Sequence, residues 1–189
     1  GIRKWEEFST HLIEMGIPYV HAFTQGPLHA TQLVQEAVVD GYRKFATLGG
    51  DGTMNESING LFSQATVDTK ELLFTAIPTG TGSDWARMDQ LPHNMKTAAS
   101  LLISHTIFRQ DIGKLTCQRE EESVVRYFDN IAGLGYDAFV TDKTSHLAKT
   151  GIRGQLFYFK ALFGGLLQYR PIAMEVKASS FQFSGPVYS

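Results

Sequence analysis

The sequence predicts an α/β fold: an N-terminal three-layer part with a parallel-type sheet, then a mainly antiparallel β part. Two observations predict it. Up to about residue 110 short apolar strands alternate with amphipathic helices, the pattern of a parallel sheet sandwiched between helices. From Asp111 onward, stretches rich in β-branched and aromatic residues with turn residues between them take over. The expected domains are therefore 1–110 and 111–189.

In chain order, Trp5, Phe8 and Leu12 recur at helical spacing, and Gly16 is the stop. "YVHAFT" reads as a strand. Ala30, Leu33, Val34, Ala37 and Val38 follow the i, i+3, i+4, i+7, i+8 pattern of a helix packed by one face. "KFATL" at 44–48 is a short buried strand that runs into glycines, followed by a helix from about Met54. A strand "LLFTAIP" at 72–78, a second glycine loop and a helix around "TAASLLIS" complete the alternation. Beyond Asp111, "RQDIGKLTC", "VVRYFDNIAGLGYDAFV" and "IAMEVKASSFQFSGPVYS" read as antiparallel sheet, interrupted by the apolar helical stretch "GQLFYFKALFGGLLQY". Both ends read as cut, the first on a helix without a preceding strand and the last in mid-sheet, so a piece of a longer protein is expected.

Composition narrows the function. The chain has 189 residues, 43% hydrophobic and 19% charged, with net charge −2, and it lacks the basic excess that gripping nucleic acid calls for. The single cysteine, Cys117, excludes an internal disulfide and a CxxC metal site and fits a reducing compartment; as a small half-buried strand residue it needs no other role. The six histidines show no metal-ligand spacing. No segment approaches the apolar length of a membrane span, and "GIRKWEEF" lacks the order of a signal peptide, so a cytoplasmic protein is expected.

The informative stretch is "GGDGTMNESING", residues 49–60. Between a parallel strand and a helix N-terminus, successive backbone N–H groups converge on one spot and the helix dipole adds positive potential. Gly49, Gly50 and Gly52 let a polyanion approach without meeting a Cβ. Asp51 would repel phosphate unless it holds a cation, a sugar hydroxyl or a structural donor, and magnesium carried by a nucleotide resolves the conflict. Thr53 offers a hydroxyl or a helix cap. Alone, the motif reads equally well as a tight turn. "PTGTGSDWAR", residues 78–87, repeats the design at the next strand end with Gly80, Gly82, the hydroxyls of Thr79, Thr81 and Ser83, and Asp84. Neighbouring strand ends of an open α/β sheet build one crevice, which favours a ligand site over two chance turns. Neither loop is the GxxxxGK[ST] phosphate loop, and "GTGSDW" lacks the third glycine of a dinucleotide fingerprint.

"GGDGTMNESING" followed by "PTGTGSDWAR" resembles the catalytic domain of the diacylglycerol kinase family, bacterial soluble lipid kinases related to sphingosine and ceramide kinases. "FTQGPLHATQLVQEA", "RQDIGKL" and "YFDNIAGLGYDAFV" resemble further family segments, the last a strand of the second domain, so the likeness covers essentially the whole chain. GGDGT is shared with NAD kinases and, more loosely, phosphofructokinases; NExxNG favours the lipid kinases.

The resemblance implies an NAD kinase-like sheet and ATP-dependent, Mg2+-dependent phosphorylation of a lipid hydroxyl such as that of diacylglycerol. By position it implies a nucleotide loop of Gly49, Gly50, Asp51, Gly52 and Thr53, with Gly80, Thr81, Gly82 and Ser83 from the second loop and Thr24 at its edge. Asn55 and Glu56 would steady the loop, and Asp51, Asp84 and Asp111 would be the catalytic acids of a water-bridged magnesium network. On residue type alone, Asp84 reads as a helix N-terminal acid and Asp111 as a solvated strand end. His29 matches a position that orders a helix start. Ser83 stands where many members carry asparagine, and the family's upstream Asn-Pro strand and late carboxylate base lie outside these residues. The "GQLFYFKALFGGLLQY" stretch could line an acyl groove, with Lys149, Arg153 and Lys160 toward anionic headgroups, although core packing explains most of its apolar side chains. A protein peripheral to the membrane is implied, and a homodimer is allowed. The rival readings are an NAD kinase-type phosphotransferase and a non-catalytic nucleotide-binding regulatory module.

Overall fold

The computed structural model describes residues 2–79, 90–104, 106–119, 121–149, 164–165 and 169–188. The chain is mixed α/β, with one small parallel and two small antiparallel sheets among the described residues. It forms two compact units, Gly1–Asn130 and Ile131–Ser189.

In the first unit, helix α1 (Ile2–Glu14) buries Phe8 and Leu12. Its end is set by Gly16, at φ +65°: the Gly16 N–H bonds the Ile13 carbonyl and the Ile17 N–H bonds that of Leu12, a Schellman closure. Helix α2 (His29–Val39) ends the same way, with Gly41 at φ +95° and the Tyr42 N–H on the Ala37 carbonyl. Strand β1 (Lys44–Gly49) and strand β2 (Leu73–Pro78) pair in parallel, Lys44 beside Leu73 through Gly49 beside Pro78, with helix α3 (Asp51–Ser63) between them in the chain. Helix α4 (Met95–Leu101) is capped by Asn94, whose side chain accepts the Thr97 N–H at 3.0 Å.

Apolar side chains cover the small sheet on both faces. Ile77 packs with Phe8, Leu12, Met95, Ala98 and Ala99, the contribution of α1 and α4. Its neighbour Ala76 points the other way, to Met54 and Ile58 of α3, with Phe62, Phe74 and Tyr127 around them. Alternate residues of one strand thus serve two helical layers, and α2 packs against α3 outside the second.

Strands β3 (Gly113–Arg119) and β4 (Glu122–Phe128) form an antiparallel hairpin that belongs to the same unit. The change from parallel to antiparallel sheet falls at the start of β3, whereas compactness divides the chain after Asn130. In the second unit, helix α5 (Tyr136–Lys149) is followed by the antiparallel pair β5 (Ile172–Lys177) and β6 (Gln182–Val187). Tyr136, Phe139, Tyr169 and Tyr188 gather there, with Tyr136 and Tyr169 ring centroids 5.5 Å apart.

Two expectations need correction. "YVHAFT" joins no ladder with any described residue. Its alternate side chains Tyr19, His21 and Phe23 instead meet the ring of Trp5, with centroids 5.7, 4.7 and 5.9 Å away. "NIAGLGYDAFV" is not sheet: β4 stops at Phe128 and α5 begins at Tyr136. Gly135, at φ +61°, turns the chain, and Val140 is then buried on the face it shares with Tyr136. The stretch "GQLFYFKALFGGLLQY", apart from Gly164, Gly165 and Tyr169, lies outside the described residues.

Candidate functional site

The strand-to-helix turn is shorter than the sequence suggests. β1 ends at Gly49, Gly50 is the N-cap, and α3 begins at Asp51, three residues before the expected start at Met54. The first bond of the helix is Met54 N–H to the Gly50 carbonyl, so the N–H groups of Asp51, Gly52 and Thr53 have no partner within the helix. Gly50 has no side chain to cap them. The glycines play different parts. A Cβ on Gly49 would stand 2.9 Å from the Thr53 Cβ, so Thr53 closes over it. A Cβ on Gly50 or Gly52 would meet no atom of the described residues within 4 Å. These two therefore leave bare backbone uncovered by any described residue, next to N–H groups that lack an acceptor within the helix at its positive end.

Polar bonds hold that turn to the sheet. The Thr47 hydroxyl donates to Ser57 Oγ at 2.8 Å, and Ser57, only 2% exposed, donates to the Thr53 carbonyl at 2.9 Å. The Thr79 N–H bonds the Gly49 carbonyl at 3.2 Å, which brings the end of β2 to the glycine loop.

Farther along α3, three residues reach neighbouring elements. Glu56 Oε2 accepts the Ala30 N–H at 3.2 Å, in the first turn of α2, where a carboxylate also meets a favourable helix dipole. Asn59 Nδ2 donates to the Tyr127 carbonyl at 2.9 Å while its Oδ1 accepts the Tyr127 N–H at 2.9 Å. Asn55 Nδ2 donates to the same carbonyl at 3.2 Å.

Asp129 is a residue that sequence reasoning missed. Its pKa is raised above the usual carboxylate value, chiefly by burial and further by the nearby charge of Asp51; its own backbone N–H and Asn55 oppose the shift. Gln110 Nε2 donates to the Asp129 carbonyl at 2.9 Å. In the sequence, "FDN" at the end of an apolar strand looks like an ordinary turn acid, and nothing local pairs it with Asp51.

Comparison with known proteins decides the family. The profile of the diacylglycerol kinase catalytic domain matches residues 1–115. The chain belongs to the diacylglycerol kinase catalytic-domain family. It is 30% identical to a diacylglycerol kinase of Bacillus subtilis (strain 168) over 190 residues, covering 96% of this chain and 58% of the relative. It is also 30% identical to the putative lipid kinase YtlR of the same organism, over 76% of this chain and 46% of that one. A diacylglycerol kinase of Staphylococcus carnosus (strain TM300) is 29% identical over 83% of this chain and 50% of its own length. The chain spans about half the length of these curated relatives. The family named from the motifs is therefore the right one.

Within this family member, the expected site residues are distributed as follows. Gly49 to Thr53 form the turn and first helical turn, and Asn55 and Glu56 sit on the body of α3 with partners on β4 and α2. Thr24 is exposed ahead of α2; the adjacent Gln25 N–H bonds His29 Nδ1 at 2.9 Å. Asp111 is exposed just before β3, beside the Gln110 that bonds Asp129. Gly80, Thr81, Gly82, Ser83 and Asp84 lie outside the described residues, as do Arg153 and Lys160. Among the described residues no three His, Cys, Asp or Glu side chains form a metal cluster, and no helix is long and apolar enough to cross a membrane.

Proposed function

We propose that this chain is the nucleotide-binding part of an ATP-dependent lipid kinase that transfers the γ-phosphate of ATP to a lipid hydroxyl such as that of diacylglycerol. The observation that carries the reading is the one-residue turn between β1 and α3, with Gly50 and Gly52 bare and a first helical turn whose N–H groups have no acceptor within the helix, in a member of this family. Such an arrangement seats phosphate oxygens on backbone donors and compensates their charge with the helix dipole. Phosphoryl transfer asks the protein mainly for positioning and electrostatic stabilisation, and a rigid turn tied to β1 through Thr47 and Ser57 supplies both.

In this reading magnesium arrives with the nucleotide. It is usually held by one or two carboxylates together with phosphate oxygens, and Asp51 at the start of α3 and Asp129, which its charge reaches, are carboxylates of that kind. Asp84 and Asp111 join them as the family resemblance implies. When bound, the metal neutralises charge on the transferring phosphate. The second glycine loop, Gly80 to Ser83, and Thr24 complete the nucleotide's surroundings in this proposal. The acceptor alcohol needs a base to take its proton, and that carboxylate is expected outside this chain. Residues 111–189 are read as the start of the lipid-binding domain and the first part as NAD kinase-like in sheet arrangement. The whole protein is read as cytoplasmic and peripheral to the membrane, where its lipid acceptor resides.

ADP release by the whole protein with Mg-ATP, offered diacylglycerol, undecaprenol, sphingosine or NAD in turn, tests this, with Asp51→Ala as control. Lipid-dependent release that the substitution abolishes is the expected result. Release with NAD alone would transfer the protein to the NAD kinase reading. Silence with every acceptor despite ATP binding would favour a regulatory module.

A further inference from the structure

Residues 90–110 hold Lys96 and Arg109 and not one Asp or Glu, although the net charge of the chain is −2. The same segment exposes apolar side chains where α4 gives way to irregular backbone: Leu101 is 38%, Ile103 56%, Ile107 65% and Phe108 60% exposed. We propose that the loop leaving α4 docks on an anionic lipid surface, with Ile103, Ile107 and Phe108 entering the interface and Arg109 and Lys96 meeting the headgroups. The inference rests on the reading of a lipid acceptor above.

The exposed side chains are not the remainder of a helix face that failed to pack. Leu102 turns inward to the cluster of Phe8, Leu12 and Ile77, so the buried side of α4 is satisfied to its end. The Ile103 and Ser104 N–H groups bond the Ser100 and Leu101 carbonyls and close the last turn. From Ser104 to Ile112 the described residues belong to no helix or strand, so Ile107 and Phe108 stand on a loop and not on a face shaped for another helix or sheet. Single exposed apolar side chains are ordinary, whereas a run of them in one segment marks a contact surface. Lys96 and Arg109 form no ion pair with any described carboxylate. Cations of one sign are drawn to the negative potential of anionic lipid, and apolar side chains beside them then gain by leaving water. A lipid surface meets both needs at once and asks for no fixed face. The far end of the loop is anchored, since Gln110 Nε2 donates to the Asp129 carbonyl at 2.9 Å. Arg109 therefore adjoins a tethered residue and stands two before Asp111, an acid of the proposed metal site. A membrane met here lies near the place where the acceptor is needed.

The test is co-sedimentation of the whole protein, without nucleotide, with vesicles of phosphatidylcholine alone or mixed with phosphatidylglycerol. The wild type should favour the mixed vesicles. Ile107→Ser combined with Phe108→Ser should weaken that binding at least about tenfold. Arg109→Gln should weaken it about fivefold and narrow the preference for the anionic lipid. Val39→Ser removes an exposed apolar side chain from α2, in the other helical layer, and should leave binding as it was. Exposed positions tolerate such changes, and the melting temperature of each variant checks it. Vesicle binding that the loop variants leave unchanged overturns the inference, as does a wild type that binds neither vesicle or binds both alike. A dimer that the loop variants dissociate, without vesicle binding, would assign the patch to a second copy and overturn it equally. None of these readouts involves ATP, so the docking surface can fail while the kinase reading stands; that reading fails separately if no lipid acceptor elicits ADP release.

Discussion

The two ends of α3 both carry glycine, for opposite reasons. Near the C-terminal end, Gly60 is buried, and a Cβ there would stand 2.7 Å from the Thr31 carbonyl oxygen and 2.8 Å from the Val34 Cβ. Its missing side chain lets α2 lie close. At the N-terminal end, a Cβ on Gly50 or Gly52 would touch none of the described residues. No packing among the described residues asks for those two absences, and the proposed nucleotide site is a use for the space they leave. One helix thus separates glycine required by a neighbour from glycine that the proposed nucleotide site would require.

The sharpest way to break this contrast is Gly60→Ala. Helix propensity favours alanine by about 1 kcal/mol, but the clash with a backbone oxygen and a β-branched side chain outweighs it. A net loss of about 2 kcal/mol is expected in denaturant unfolding. Unchanged stability would mean that α2 and α3 can separate freely and that Gly60 is not a packing glycine.

Asp129→Asn probes the N-terminal end with a smaller effect. The carboxyl's folded pKa is raised, so the native state holds its proton more tightly than the unfolded chain does. Stability from this group is complete below the ordinary carboxylate value and is lost as pH rises through the raised one. The variant lacks that loss, so its melting temperature should gain on the wild type as pH climbs from about 4 to 7. Parallel melting curves would show that Asp51 and burial do not act on Asp129.

The sequence made α1, α2 and β1 legible because their signals are local: apolar spacing, a stop glycine, a short apolar run into "GGDG". Gly16 and Gly41 close their helices within the residues that display the signal. The α5 segment was misread because "YDAFV" suits either period over so few residues, and the deciding event is the turn at Gly135. "YVHAFT" alternates as a strand should, but a ladder needs a partner elsewhere in the chain, and among the described residues its alternation is used on Trp5 instead. The glycine loop was legible for the same reason as the helices. Asp129 and the grip of Asn59 on Tyr127 were not, since both depend on β4 returning to α3 and neither residue carries a mark of that in its own neighbourhood.

The most direct test of the account is Gly52→Ala, measured for both thermal stability and Mg-ATP affinity in the whole protein. With no described residue in its way and a helical position to fill, the alanine should leave stability unchanged or raise it by up to about 1 kcal/mol. Affinity should fall at least about tenfold, because the new methyl stands where phosphate oxygens approach the backbone. A variant as stable as the wild type that binds Mg-ATP equally well would contradict the claim that this turn is the phosphate seat.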